Sequence, residues 1–284
     1  MKAGDALDAA VHPEHRRKGL YNKMQAILDE RRSKEGISVA CSTESHRVFI
    51  EQARRHNTPL LPIQPRIFIR TKDIDMHLRE KKVSHSRLKS IFLKSQSFLR
   101  RLFERRKNIN VNLNIQGVAL LDNRYRSFWH EIKDHYEFIL ERSPEFIKWR
   151  YFDARGGTYD VFQAEEEEKI VGYCVLRVNC IVPSYPEGFI IDLLTLPGRD
   201  DILEALIHKS VQFFDSKEIN VIRSICLEGH PTERVYRSYG FVNTHRDIMV
   251  TFRTFNPERQ GELEFLKDVP VDKMDFQYTH TDWI

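Results

Sequence analysis

A chain of 284 residues, 41% hydrophobic and 30% charged, is long enough for two domains and too apolar to be disordered. No apolar run approaches the roughly 20 residues that span a bilayer, and MKAGDALDAAV lacks the charged-then-apolar layout of a secretory leader, so the expectation is a cytoplasmic protein. The net charge of +4 is modest, but Arg79 to Lys107 holds eleven Lys or Arg against two acids, Glu80 and Glu104.

Ala6 to Val11 reads as a short extended piece, followed by His12-Pro13-Glu14-His15-Arg16-Arg17-Lys18-Gly19. Leu20, Met24, Ile27 and Leu28 then fall at helical spacing and line one face. Arg31, Arg32 and Lys34 crowd the last turn, where cations suit the helix dipole, and Gly36 stops the helix. Ile37 to Cys41 reads as a buried strand, and about Thr43 to Arg55 as a second helix. Pro59, Pro62 and Pro65 break the pattern before Ile67-Phe68-Ile69 resumes as strand. Met76 to Lys107 looks helical, with Leu88, Ile91, Phe92, Phe98, Leu99, Leu102 and Phe103 apolar, and Asn108 to Ile115 alternates as an extended link.

The second half is more complete. A helix over Arg126 to Leu140 precedes Ser143-Pro144-Glu145, an N-cap with proline at the first helical position. Strands follow at Tyr159 to Ala164 and Ile170 to Val178, joined by the acidic turn Glu165 to Glu168, with a third at Phe189 to Leu196. A helix from near Asp201 sets Leu203, Leu206, Ile207 and Phe214 on one face. Val221 to Leu227 is a strand, Pro231 to Tyr239 a helix ending at Gly240, and Ile248 to Phe252 a final strand. Strand, turn, amphipathic helix, strand, shorter helix and strand thus occur at Ala6–Ile69 and again at Phe189–Phe252, in an α/β alternation that implies a mixed sheet covered by helices. Simple α/β alternation and a true duplication both give this order.

Chemistry concentrates at Arg16 to Tyr21. Backbone N–H groups at a helix N-terminus point outward unpaired, and the dipole adds partial positive charge there. Gly19 lets a ligand approach the backbone, and Arg16, Arg17 and Lys18 add full charges, so the turn suits a diphosphate. A solvated basic turn before an ordinary helix is the competing reading. His12 and His15 stand beside it, as phosphate contacts or as solvated loop residues. The four cysteines, Cys41, Cys174, Cys180 and Cys226, lack metal-ligand spacing.

The strand, the run Val11-x-Pro13-x-x-Arg16-x-x-Gly19 and the helix resemble the acyl-CoA motif of the GCN5-related N-acetyltransferases, (Q/R)-x-x-G-x-(G/A), with Tyr21 in place of the usual small residue. By that resemblance Val11 would contact the pantetheine arm, and Arg16, Arg17, Lys18, Gly19, Leu20 and Tyr21 would wrap the diphosphate of acetyl-CoA. Val235-Tyr236-Arg237-Ser238-Tyr239-Gly240-Phe241 resembles the family's second motif, which implies Tyr236 as the acid protonating the departing thiolate. The matching diphosphate loop, Leu196-Pro197-Gly198-Arg199-Asp200-Asp201, puts two carboxylates where a diphosphate would sit, so this copy is expected to lack the cofactor. In the first copy Phe49 stands where the acid would be and cannot donate a proton. Asp5 and Asp8, with Asp192 in the second copy, are the candidate bases.

The resemblance spans about Ala6–Arg70 and Leu120–Arg253. It implies two such domains, each a mixed, mainly antiparallel sheet flanked by helices. The expected division is a truncated first copy over 1–75, a basic amphipathic helix and linker over 76–116, and a complete but degenerate copy with a tail over 117–284. The implied function is acyl transfer from acyl-CoA to an amine acceptor. A catalytically silent binding or scaffold module is the alternative. The basic helix either bridges the domains or binds an anionic partner, nucleic acid or membrane.

Overall fold

A computed structural model describes residues 3–5, 11–37, 39–44, 50–51, 58–80, 113–246, 248–254 and 257–281. In chain order the elements are β1 (Ala3–Asp5), α1 (Leu20–Lys34), β2 (Val39–Glu44), β3 (Pro65–Thr71), α2 (Ile74–Glu80), β4 (Asn114–Gly117), α3 (Arg124–Ile132) and α4 (Pro144–Tyr151). The rest are β5 (Asp160–Glu166), β6 (Lys169–Asn179), β7 (Glu187–Thr195), α5 (Asp200–Ser216), β8 (Val221–Leu227), α6 (Pro231–Ser238), β9 (Val242–Asn243) and β10 (Met249–Thr254). They form two compact units. The first is Met1–Pro65 with Asp247–Pro270 and His280–Trp283; the second is Arg66–Arg246 with Val271–Thr279 and Ile284.

Unit 1 holds a three-stranded sheet in the order β1-β2-β10. β1 runs parallel to β2 and β10 antiparallel to it, with Met249 opposite Glu44 and Thr254 opposite Val39. Val39, Ala40, Leu61, Val250 and Phe252 are buried, and the chain at Pro59 and Leu61 takes up backbone groups along the free edge of β10. α1 ends as its sequence dictates, with exposed ion pairs Lys34–Glu30 at 2.7 Å and Arg31–Glu35 at 3.0 Å and the Ile37 amide donating to the Arg32 carbonyl. Its apolar face is a correction to the expected buried stripe. No residue of α1 is buried among the described residues, and Leu20 and Ile27 are 42% and 68% exposed.

Unit 2 holds a seven-stranded sheet in the order β4-β5-β6-β7-β8-β3-β9. β4 through β7 pair antiparallel, whereas β7 and β8 pair in parallel. Successive residues of β6 serve opposite faces: Tyr173 packs against Tyr125 and Phe128 of α3, while the Cys174 thiol meets Ser210 of α5. Both faces are covered, which is why β6 and β7 read as nearly continuous apolar runs. α5 buries Ile202, Leu203, Leu206, Ile207, Val211 and Phe214, each stabilising by about 1.5–3 kcal/mol. That close approach requires glycine at 188, where a Cβ would lie 2.5 Å from the Phe214 ring.

The two copies read from the sequence exchange their closing strands. β3, which ends the first copy, lies beside β8 in the sheet of unit 2, and β10, which ends the second, pairs with β2 in unit 1. The structural division therefore does not follow the expected boundary near residue 75, nor does the tail simply extend unit 2. The parallel pairs correspond. Ala3, Gly4 and Asp5 face Val39, Ala40 and Cys41, as Glu187, Gly188 and Phe189 face Val221, Ile222 and Arg223. Of the long basic helix expected from Met76 to Lys107, Ile74–Glu80 is helical and 81–107 lies outside the described residues, as do 6–10 and 45–49 with Phe49.

Candidate functional site

In unit 1 the candidate site is the turn between the first strand and α1. Pro13–His15 makes one tight helical turn, Arg17 and Gly19 both take left-handed backbone conformations (φ 62° and 71°), and Gly19 is the N-cap of α1. Among the described residues, the Arg17 to Asn22 amides have no backbone acceptor, and the first intrahelical bond runs from the Lys23 amide to the Gly19 carbonyl. Val11, His15, Arg16, Arg17, Gly19, Leu20, Tyr21 and Asn22 line a cavity of about 310 Å³, and a Cβ at 19 would meet open space. Arg16 is partly committed, its Nε donating to the Val11 carbonyl at 3.2 Å, so it braces the loop. Of the expected cradle residues only Lys18 does not line the cavity. Asp8 lies outside the described residues, and so does the side chain of Asp5.

In unit 2 the corresponding place is the cleft between β7 and β8. The strands pair over three residues, Glu187 to Phe189, and then part, although β7 continues to Thr195 and β8 to Leu227. A cavity of about 310 Å³ opens there, walled by Leu193, Ile225, Cys226, Leu227, Tyr236 and the segment Met274 to Gln277, among others. Asp192, five residues past Glu187 as Asp8 is past Ala3, is fully buried. It accepts from Arg142 (Nε 3.3 Å, Nη2 3.1 Å), Tyr151 (3.0 Å) and Tyr173 (2.7 Å). Three of these bonds fall on Oδ2 and one on Oδ1, which makes Asp192 the buried ion-pair partner of Arg142. Burial opposes the charge of Arg142, yet Asp192 and Asp275 beside it hold its proton more firmly than usual. Asp275 itself is raised by burial.

Tyr236 lies in the cavity wall, stacked with Phe68 and with Phe241 tilted against it, and its hydroxyl accepts from Ser224 Oγ at 2.6 Å. Burial pushes its phenol far above the ordinary tyrosine range. The second diphosphate loop is self-neutralised. Arg199 pairs with Glu166 at 2.9 Å and with Asp201 at 2.8 Å, holding both carboxyls below their ordinary range. Asp201 stands in the first turn of α5, where its carboxylate is paired by Arg199 and the Ile202 amide donates to the Arg199 carbonyl at 3.2 Å. His230 caps α6, its Nδ1 accepting from the Thr232 amide at 3.2 Å; burial lowers its pKa to about 4. Among the described residues no group of His, Cys, Asp and Glu is arranged to hold a metal ion, and the four cysteines are free.

No family model matches the sequence, and no curated protein does. Among solved structures, a GCN5-related N-acetyltransferase from Anabaena variabilis is 11% identical with a TM-score of 0.52, over 87% of this chain and 54% of that one. The chain has the fold of the GCN5-related N-acetyltransferases. It spans about half the length of that relative. A tandem protein of the same fold from the clavulanic acid biosynthesis pathway is 13% identical (TM-score 0.49; 90% of this chain, 76% of that one). A third, from Sphaerobacter thermophilus, is also 13% identical (TM-score 0.49; 87% and 71%). Within this acetyltransferase fold, sequence reasoning missed Arg142, Asp275 and Gln277, whose partners lie 50 to 133 residues away. No local spacing signals such pairs.

Proposed function

We propose that the chain binds acyl-CoA, acetyl-CoA by preference, at the turn Val11 to Tyr21 and transfers its acyl group to an amine acceptor. One observation carries the reading: among the described residues the amides of Arg17 to Asn22 have no partner, and the turn they belong to borders a cavity lined by Arg16 and Arg17. In the reaction, the amine lone pair attacks the thioester carbonyl and the C–S bond breaks. The amide forms, and the CoA thiolate takes a proton. Asp8 is the proposed base; Tyr236, which the resemblance offers as the acid, belongs to unit 2, and its role is tested by substitution. Free cysteines fit a reducing, cytoplasmic setting.

A second reading, CoA binding without turnover, is favoured by the commitment of Asp192 to Arg142 and by the burial of Tyr236, which holds its proton firmly. The two readings part in one experiment. Acetyl-CoA is titrated calorimetrically, and thiol release is then followed with a panel of amines and with Tyr236→Phe. Binding with release that Tyr236→Phe slows supports transfer; binding without release supports the silent reading. Gly19→Glu, which sets a carboxylate against the phosphates, is expected to abolish binding. Gly19→Asn, which tolerates a left-handed backbone and adds no charge, is expected to retain it. Unchanged affinity in Gly19→Glu refutes the cradle.

A further inference from the structure

Beyond Phe189, β7 stays paired with β6 but, among the described residues, has no strand partner on its β8 side. In unit 2 the segment Met274 to Gln277 walls this gap and reaches the backbone of β7 through one side chain. Gln277 Nε2 donates to the Leu193 carbonyl at 2.8 Å and to Asp275 Oδ1 at 2.7 Å. Asp275 accepts from Arg142 Nη2 at 2.6 Å, and the same nitrogen holds Asp192 of β7. Beyond Gln277, the Tyr151 hydroxyl joins Asp192 to Thr279 Oγ1 at 2.6 Å. On the other side the Asp275 amide donates to the Phe138 carbonyl at 2.7 Å, and the Glu137 amide to the Lys273 carbonyl at 2.9 Å. Met274, Asp275, Phe276 and Gln277 are all buried, and all four wall the cavity with Leu193 and Cys226.

We propose that Met274 to Gln277 is a built-in occupant of the β7–β8 cleft, standing where an extended, amide-bearing chain of the pantetheine kind would otherwise satisfy β7. A primary amide on the Leu193 carbonyl supplies the donor that a ligand amide would supply, and Met274 and Phe276 supply the apolar filling. The occupant is intramolecular, so no dissolved ligand competes until the segment lifts. Unit 2 then keeps the acetyltransferase fold without a cofactor, consistent with the self-paired loop Arg199 to Asp201. This inference concerns unit 2 alone. Loss of the CoA site in unit 1 leaves it untouched.

Cys226 reports on the cleft, since it is buried in its wall, whereas Cys180 is exposed and Cys174 is buried under α5. The full chain is labelled with iodoacetamide and each cysteine is followed by mass spectrometry. In the native protein Cys180 reacts and Cys226 does not. Phe276→Gly combined with Gln277→Gly keeps the Arg142–Asp275 pair and is expected to raise Cys226 labelling by about tenfold or more while Cys174 stays protected. Pantetheine at saturating concentration is then expected to restore protection of Cys226 in the variant. Unchanged Cys226 labelling overturns the proposal, as does labelling of Cys174 in step with Cys226, which would make the segment ordinary core. Absence of protection by pantetheine overturns it too. Should the double variant fail to fold, Gln277→Leu alone is read by the same criteria.

Discussion

Arg142 and Asp192 are 1% and 0% exposed at their side chains, and Arg142 divides its guanidinium between Asp192 and Asp275. Three charges in one dry place hold together only as a set, because each alone would carry an uncompensated desolvation cost. Arg142→Leu leaves two carboxylates facing each other without a cation. The expected loss is about 3–5 kcal/mol in urea unfolding. A loss below about 1 kcal/mol would show that the pair is wet enough to be dispensable.

The sequence carried the local structure of unit 2 well, and for identifiable reasons. The acidic turn after β5 shows where the hairpin reverses, and the strands on either side end within two residues of their expected bounds. Ser143 caps α4 by accepting from the Phe146 amide at 3.3 Å, as the Ser-Pro-Glu pattern implies. What periodicity could not carry is choice of partner. Ile67-Phe68-Ile69 is a short apolar run that reads the same whether it closes the first sheet or lies beside β8, so the strand exchange left no mark in the pattern. The tail was opaque for the same reason. Asp275 and Gln277 look like surface residues until Arg142 and Leu193 are brought to them. At the cradle, residue types and spacing indicated the turn, but the left-handed backbone at Arg17 has no sequence signature.

His230 gives the protein a pH dependence whose sign is fixed. Its folded pKa is lowered by burial from 6.5 to about 4, so between these values the unfolded chain binds a proton that the folded chain refuses. The stabilising contribution is therefore complete above pH 6.5 and is lost progressively as pH falls through about 4. His230→Asn keeps an acceptor for the Thr232 amide and removes the titration. The unfolding free energy of the native chain is expected to fall more steeply from pH 6.5 to 4 than that of the variant. Equal slopes would mean that His230 is solvated in the folded state.

Arg17 separates a structural role from a binding role, because the two respond with opposite sign. An L-residue held at φ 62° costs about 1–2 kcal/mol relative to a residue free to occupy that region. No hydrogen bond or ion pair of Arg17 is present among the described residues to offset it. Arg17→Gly is therefore expected to raise the melting temperature slightly, while removing one cation from the cavity wall. If the turn receives a diphosphate, acetyl-CoA affinity falls in the same variant, and its dependence on salt concentration becomes shallower. Strain retained at a position that glycine would relieve is what a ligand-facing charge predicts. A variant that gains stability and binds acetyl-CoA as before would leave the strain at Arg17 with no functional counterpart.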